Sequence, residues 1–542
     1  MGLRVAVLSY RSKPHVGGQG VYVRHLTRAL VQAGHEVTVF SGQPYPELDP
    51  GVRLEKVPSL DLYREPDPFR MPRLNEYRDA IDVLEVAGMM TAAFPEPLTF
   101  SLRAARALRG RTGEFDVVHD NQCLGYGLLD IARHAPLVTT IHHPITRDRT
   151  TDLAGAAGWR RVSLSRWYSF LTMQKRVART QRHVLTVSTS SARDIATDFG
   201  VDPARIDVVP LGVETDVFTP DAHDGPRVPG RLVTMASADV PLKGVDVLLH
   251  ALARRREQHP CAPLELVLVS RPTPGGRTET LVRGLGLTDV VTVRGGLTDA
   301  ELAALVASAQ VACVPSRYEG FSLPTVEAMA CGTPLVVSDA GAIGEVVGHD
   351  GTGGAPGALV VPPGDVDALA GALGRLLDDP DLRERLGRGG RDRALADYAW
   401  PTVAARTAEV YRRAIEDAAA CSAGSPARRR HENGVEATEA ARVPCSPATT
   451  ARDALRDRIE SVLMALPAPS PARRAACAAL AVGALVLDSP ISRRARRPPR
   501  RRSLPCSPLT SAASASAPAT VGSTSAAAPA ATPSRCTVAA RT

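Results

Sequence analysis

From residue 3 to about 400, short runs of β-branched apolar residues alternate with longer stretches whose apolar positions recur at helical spacing, the pattern of a parallel sheet with helices on both faces. LRVAVLSY (3–10), HEVTVFS (35–41), DVVHD (116–120), PLVTTIH (136–142), VLTVS (184–188) and IDVVPLG (206–212) predict the buried strands of a first sheet. The polar, proline-rich interval TPDAHDGPRVPG (219–230) predicts a linker. Strands resume at RLVTMAS (231–237), LELVLVS (264–270), VVTVRG (290–295), VACVPS (311–316), PLVVSD (334–339) and GALVVPP (357–363), followed by a helix over about 403–418. The expected fold class is α/β, two doubly wound Rossmann-like domains at 1–218 and 231–400, with a helix at 401–420 returning toward the first. Ligands of such sheets sit beyond the carboxyl ends of the strands, so a cleft between the domains is the expected site.

After residue 420 the periodicity gives way to Ala, Pro, Ser and Arg, as in RRARRPPRRRS, a composition that buries too little apolar surface to offset chain entropy; disorder is expected over 421–542. The tail also explains the net charge of +8: it carries 18 Arg against 7 Asp and Glu, while residues 1–420 carry 47 basic and 50 acidic side chains. The folded part is slightly acidic, which argues against nucleic acid as a partner. Nine cysteines without paired short spacings suggest neither zinc nor structural disulfides, and fit a reducing cytoplasm. The N-terminus runs directly into a strand without a signal-peptide core. The longest apolar run of the tail, Ala475 to Leu487, has 13 residues and is too short to span a bilayer. A basic segment at 160–183 puts Trp167, Phe170, Leu171 and Val177 on a helical stripe; it suits either ordinary packing or peripheral contact with the inner face of a membrane.

Chemistry concentrates in PSRYEGFSLPTVEAMACGTP (315–334). A strand ends, a loop carries Glu319, and a helix from about Leu323 to Cys331 carries Glu327, with Pro324 in its first turn and Gly332 as its stop. Amides around Ser322, Leu323 and Thr325 predict an anion site at the helix start. Taken singly, the two glutamates read as a solvated loop charge and a helix-dipole partner. With its flanks, SRYEGFSLPTVEAMACGTPLVVSDAGAIGEVV resembles the signature of the retaining glycosyltransferases of family 4, whose GT-B fold sets two Rossmann-like domains face to face. HVGGQGVYVRHLTRAL, VLTVSTSSARDIATDFGV and KGVDVLLHAL extend the resemblance over about 3–418.

The resemblance implies a metal-independent transferase, with no cofactor, that moves a sugar from a nucleoside-diphosphate sugar (UDP- or GDP-linked) to a hydroxyl acceptor: a lipid, a glycan or a small metabolite. It implies that Glu319 faces the transferred sugar, that Glu327 accepts from the nucleotide ribose, and that the glycine loop with Gly17 and Gly18 borders the diphosphate. His142 would line the sugar site, with His143 one register away, and Arg193 would contact an acceptor phosphate. Lys243 in VPLKG is one of four lysines among 65 basic residues and is the candidate cation for the leaving diphosphate. The chain departs from the family at Ala238, where an arginine is expected; Arg271 is the candidate to replace that charge. This departure and the long tail motivate a rival reading, a catalytically impaired sugar-nucleotide-binding protein. A hydrolase with paired carboxylates fits the anion site less well. DVD at 365–367 imitates a metal triad but reads as a helix cap at Asp365.

Overall fold

The computed structural model describes residues 2–12, 18–349 and 357–423. Two parallel sheets form two lobes. The first contains β1 (Arg4–Ser9), β2 (Glu36–Ser41), β3 (Arg53–Lys56), β4 (Val117–Asn121), β5 (Leu137–Thr140), β6 (His183–Thr186) and β7 (Ile206–Val208), in the order β3-β2-β1-β4-β5-β6-β7. The second contains β8 (Val228–Met235), β9 (Glu265–Val269), β10 (Val291–Arg294), β11 (Ala309–Val314), β12 (Leu335–Ser338) and β13 (Ala358–Val361), in the order β10-β9-β8-β11-β12-β13. Central strands are buried on both faces, which is why they read as near-continuous apolar runs. Each order reverses once, between β1 and β4 and between β8 and β11. The loops leaving those four strands flank the crevices where such sheets take ligands.

The differences from the sequence expectations have local causes. β3 reads RLEK and is an exposed edge strand, so it lacks the apolar run that marks the others. The interval expected as linker contains a 3-10 turn, Pro220–Ala222, and the start of β8 at Val228. The last helix is Trp400–Ala423, longer than expected. The segment 160–183 is two helices, Gly158–Trp167 and Phe170–Ala178, broken at Tyr168 and Ser169. Its apolar stripe packs inward: Leu171 and Val177 are buried, and Trp167 lies against Phe94 and Tyr63. Gly17 and the tail after 423 lie outside the described residues.

The chain crosses between lobes twice. Val213 on the outward crossing donates its N–H to the Tyr398 carbonyl on the return, at 2.8 Å. Beside this pair, Gly212 makes room for Trp400: a Cβ there would fall 2.4 Å from the indole. Trp400 stacks on His25 and begins a helix that runs back over the first lobe, where the Tyr411 hydroxyl meets His119 Nδ1 at 2.6 Å in the core. The last described helix is thereby built into the first sheet's packing.

Candidate active site

Lys243 ends the 3-10 turn Pro241–Lys243 in the loop leaving β8. Gly244 follows at φ +65°, and a Cβ there would sit 1.9 Å from the Pro315 carbonyl oxygen, so only glycine lets this turn lie against the end of β11. The approach brings Lys243 Nζ to 2.7 Å from Glu319 Oε1, and Ser316 Oγ donates to that same oxygen at 2.9 Å. Glu319 Oε2 has no partner among the described residues. Arg317 stitches the two loops together: its N–H donates to the Leu242 carbonyl at 2.7 Å, while its guanidinium holds Asp246 at 2.8 and 2.9 Å and Pro241 O at 2.6 Å. The Arg317 hydrogen bond in turn holds the Asp246 carboxyl below its ordinary range.

The helix Leu323–Ala330 starts just beyond, with Ser322 as its cap residue and Pro324 in the first turn. Ser322 is buried and its hydroxyl receives Thr325 Oγ1 at 2.7 Å. No described carbonyl accepts from the amides of Leu323 or Thr325, so the helix start presents donors. Pro324 and Lys243 line a cleft of about 600 Å³ with Ala238, Asp239, Ser270, Arg271 and Thr273. Ala238 contributes no charge; its N–H is used on Ser270 Oγ at 3.0 Å and its carbonyl on Thr278 Oγ1 at 2.8 Å. Arg271 extends over two glycines, where Cβ atoms at Gly295 and Gly296 would each lie 3.0 Å from its side chain. Glu327, half-buried one turn into the helix, has no hydrogen-bond partner among the described residues. Burial, with the nearby Asp299 carboxylate adding, pushes its carboxyl up to about 7.

On the opposite lobe, the loop leaving β5 carries His142. Its Nε2 lies 2.8 Å from Asn121 Oδ1, its N–H donates to Gln122 Oε1 at 2.8 Å, and its ring meets the Tyr22 ring edge-on at 4.7 Å. Burial, with His143 and His119 adding, drives His142 down to about 3, so the ring is neutral at physiological pH. An amide oxygen can only accept, so Nε2 carries the proton and Nδ1 keeps its lone pair. His143 is exposed, and its Cβ lies 3.4 Å from the Cβ position of Gly320, next to Glu319. The two histidines therefore have distinct places. Gly18 begins the helix Gly18–Gln32 that carries Tyr22, and Arg193 sits exposed on the helix Thr189–Phe199. Asp365 caps the helix Val366–Asp378 through the amides of Asp367 and Ala368.

The structure thus brings Glu319 onto Lys243, which lines one cleft with Arg271 and Pro324; Ser322 and Leu323 start the helix that carries Pro324, and Glu327 lies one turn further along it. Missing from the sequence reading were the residues that hold these groups: Asp246, Ser316 and Arg317, and on β4 Asp120 and Asn121. A signal for the last two was present, since polar residues ending a wholly buried strand at a switch point are exceptional. Asp120, pushed up to about 7 by burial, accepts from the amides of Cys123 and Leu124 and folds the loop behind His142. Gly341 was missed too. At φ +65° its Cβ position lies 2.0 Å from the Glu319 carbonyl oxygen. Gly341→Ala is expected to displace Glu319 and lower turnover at least tenfold while nucleotide affinity holds, as read by steady-state rates beside calorimetry.

Two Rossmann-like lobes, with a cation, a carboxylate and a helix start at the strand ends of the second, define a GT-B glycosyltransferase. The chain belongs to the family 4 glycosyltransferases: the model for Glycosyltransferase Family 4 matches residues 16–217 and that for Glycosyl transferases group 1 matches residues 224–393. It is 60% identical over 421 residues to an MMP alpha-(1->4)-mannosyltransferase of Mycolicibacterium hassiacum, covering 77% of this chain and 100% of that one. It is 31% identical over 460 residues to a D-inositol 3-phosphate glycosyltransferase of Kineococcus radiotolerans, covering 78% of this chain and 98% of that one. Among solved structures, the sucrose-phosphate synthase of Thermosynechococcus elongatus shares the fold with a TM-score of 0.56 at 24% identity, over 77% of this chain and 100% of that one. The Anabaena HepE complex with UDP shares it with a TM-score of 0.52 at 17% identity, over 75% and 99%. The protein is a glycosyltransferase.

Proposed function

We propose that this enzyme transfers a mannosyl group from a nucleoside-diphosphate mannose to a hydroxyl of a glycan acceptor, with retention and without a metal. The observation that carries this is the Lys243–Glu319 pair at 2.7 Å beside the open amides of the Leu323 helix, in a chain 60% identical to a mannosyltransferase. In this reading the helix amides and Lys243 receive the diphosphate. As the anomeric bond loosens, charge grows on the leaving oxygen, and the ammonium stabilises it more than it stabilises the ground state. Glu319 Oε2 orients the sugar hydroxyls, and Glu327 accepts from the ribose. Neutral His142 meets the sugar from the other lobe. Arg271 supplies the second positive charge that Ala238 does not, and with these groups on the diphosphate the reaction needs no bound cation. The inward packing of the 160–183 stripe favours a glycan over a bilayer-embedded lipid as the acceptor; among the described residues no helix is long and apolar enough to cross a membrane.

The test is a thermal-shift and transfer screen of the full chain with GDP-mannose, UDP-glucose and ADP-glucose against α-linked manno-oligosaccharides. A bound donor at a hundredfold excess over Kd should stabilise the fold by about 2.7 kcal/mol. Product anomeric configuration is read by NMR. Transfer of glucose but not mannose, or a β-linked product, would overturn the reading.

A further inference from the structure

The first two turns of the Thr189–Phe199 helix, on the first lobe, meet the second lobe on both sides of Glu319. Tyr318 OH donates to Asp194 Oδ2 at 2.6 Å. The Gly320 carbonyl accepts from Ser188 Oγ at 2.7 Å and from Ser191 Oγ at 3.1 Å. A third contact comes from the helix Ile343–Val347, whose Glu345 carboxylate accepts from the Thr189 amide at 2.9 Å and from Thr189 Oγ1 at 2.9 Å. That carboxylate sits where a helix start favours negative charge. The two second-lobe pieces are themselves tied together, because the Glu319 carbonyl accepts from the Ala342 amide at 3.0 Å, and Arg393 holds the Glu345 carbonyl at 3.0 Å.

Among the described residues, Glu319 itself makes side-chain bonds only within its own lobe, to Lys243 and Ser316, whereas both of its chain neighbours bond to the other lobe. We propose that the start of the Thr189 helix is a latch whose engagement by Tyr318, Gly320 and Glu345 sets the position of Glu319, so that reactive geometry exists only with the lobes together. Asp194, Tyr318 and Glu345 are then positioning residues for the transfer. Lobes that rotate apart lose the hydrogen bonds on either side of Glu319 at one stroke, and the loop that carries it loses its outer support. The donor contacts proposed for the second lobe, Lys243, Arg271 and the Leu323 helix on the diphosphate and Glu327 on the ribose, lie outside the latch, so donor affinity depends on it far less than turnover does.

The inference builds on the proposed transfer, and the test separates the two. Hydrogen exchange of the full chain, followed by mass spectrometry, is compared for wild type, Glu345→Ala and Tyr318→Phe. Amides of 316–322 and 188–192 are expected to exchange about tenfold faster in the variants, while the core strands are unchanged. With GDP-mannose as donor, kcat should fall about tenfold or more while donor KM and the Kd for GDP stay within about twofold. Unchanged exchange at 316–322, or a rise in KM with kcat intact, overturns the latch. Should wild type transfer nothing from GDP-mannose, faster exchange confined to those two segments still supports the latch, and the mannosyl reading alone falls. Tyr318→Phe, which removes one hydroxyl, keeps the test decisive if Glu345→Ala folds poorly.

Discussion

Lys243→Ala is expected to lower turnover about 10²–10³-fold, the loss that follows removal of one preorganised group facing developing negative charge. The ammonium has two tasks in the structure. It lines the cleft of about 600 Å³ that is proposed to take the donor, and it holds Glu319 Oε1 at 2.7 Å. Lys243→Arg should not restore the rate, because a planar guanidinium does not reproduce the compact ammonium that sits 2.7 Å from Glu319 Oε1. Glu319→Gln should also cost orders of magnitude, since an amide neither balances the ammonium nor offers a charged acceptor at Oε2. Because the two side chains touch, the double variant should be only slightly slower than the worse single one. Steady-state rates of the four proteins test this, and costs that simply multiply would show that the pair does not act as a unit.

Glu327→Gln should have opposite effects on stability and on donor affinity. Its carboxyl titrates near 7 in the fold, against an ordinary value of 4.5. A raised carboxyl means that between those two values the folded chain holds more proton than the unfolded one. Its contribution to stability is therefore present below about 4.5 and is lost as pH rises through 7, a loss on the order of 2–3 kcal/mol. Glutamine never ionises, so the variant should melt higher than wild type at pH 8 and like it at pH 4.5. Ribose hydroxyls donate best to an ionised carboxylate, so wild-type affinity for GDP should improve as pH rises from 5.5 to 7.5, and the variant should bind weakly and without that dependence. Calorimetry across this range decides; a pH-independent wild-type Kd would remove Glu327 from the ribose contact.

Much of the site was legible because its chemistry is encoded locally. The spacing of Glu319, Pro324, Glu327 and Gly332 writes a loop, a helix start and a stop into one continuous stretch, and the helix Leu323–Ala330 forms accordingly. Lys243 stood out against a background of arginine. What stayed hidden were residues whose roles are relational. Asp246 acquires a function only because Arg317 crosses to it from another strand end, and Gly341 only because the Glu319 carbonyl lies against it. β3 escaped notice because an exposed edge strand needs no apolar face. The separate places of His142 and His143 show only in the Asn121 and Tyr22 contacts of the first and the exposure of the second.

Apolar periodicity by itself determined two parallel-sheet domains in series and placed the carboxylates, the lysine and the helix start at strand ends, because burial and turn chemistry act over a few residues. Only the tertiary structure decided which strand ends share a crevice, which contacts lock the Trp400 helix into the first lobe, and that the Thr189 helix reaches the loop of Glu319. Those are contacts between residues more than seventy positions apart, fixed by packing and hydrogen bonding within and across lobes, and no linear pattern carries them.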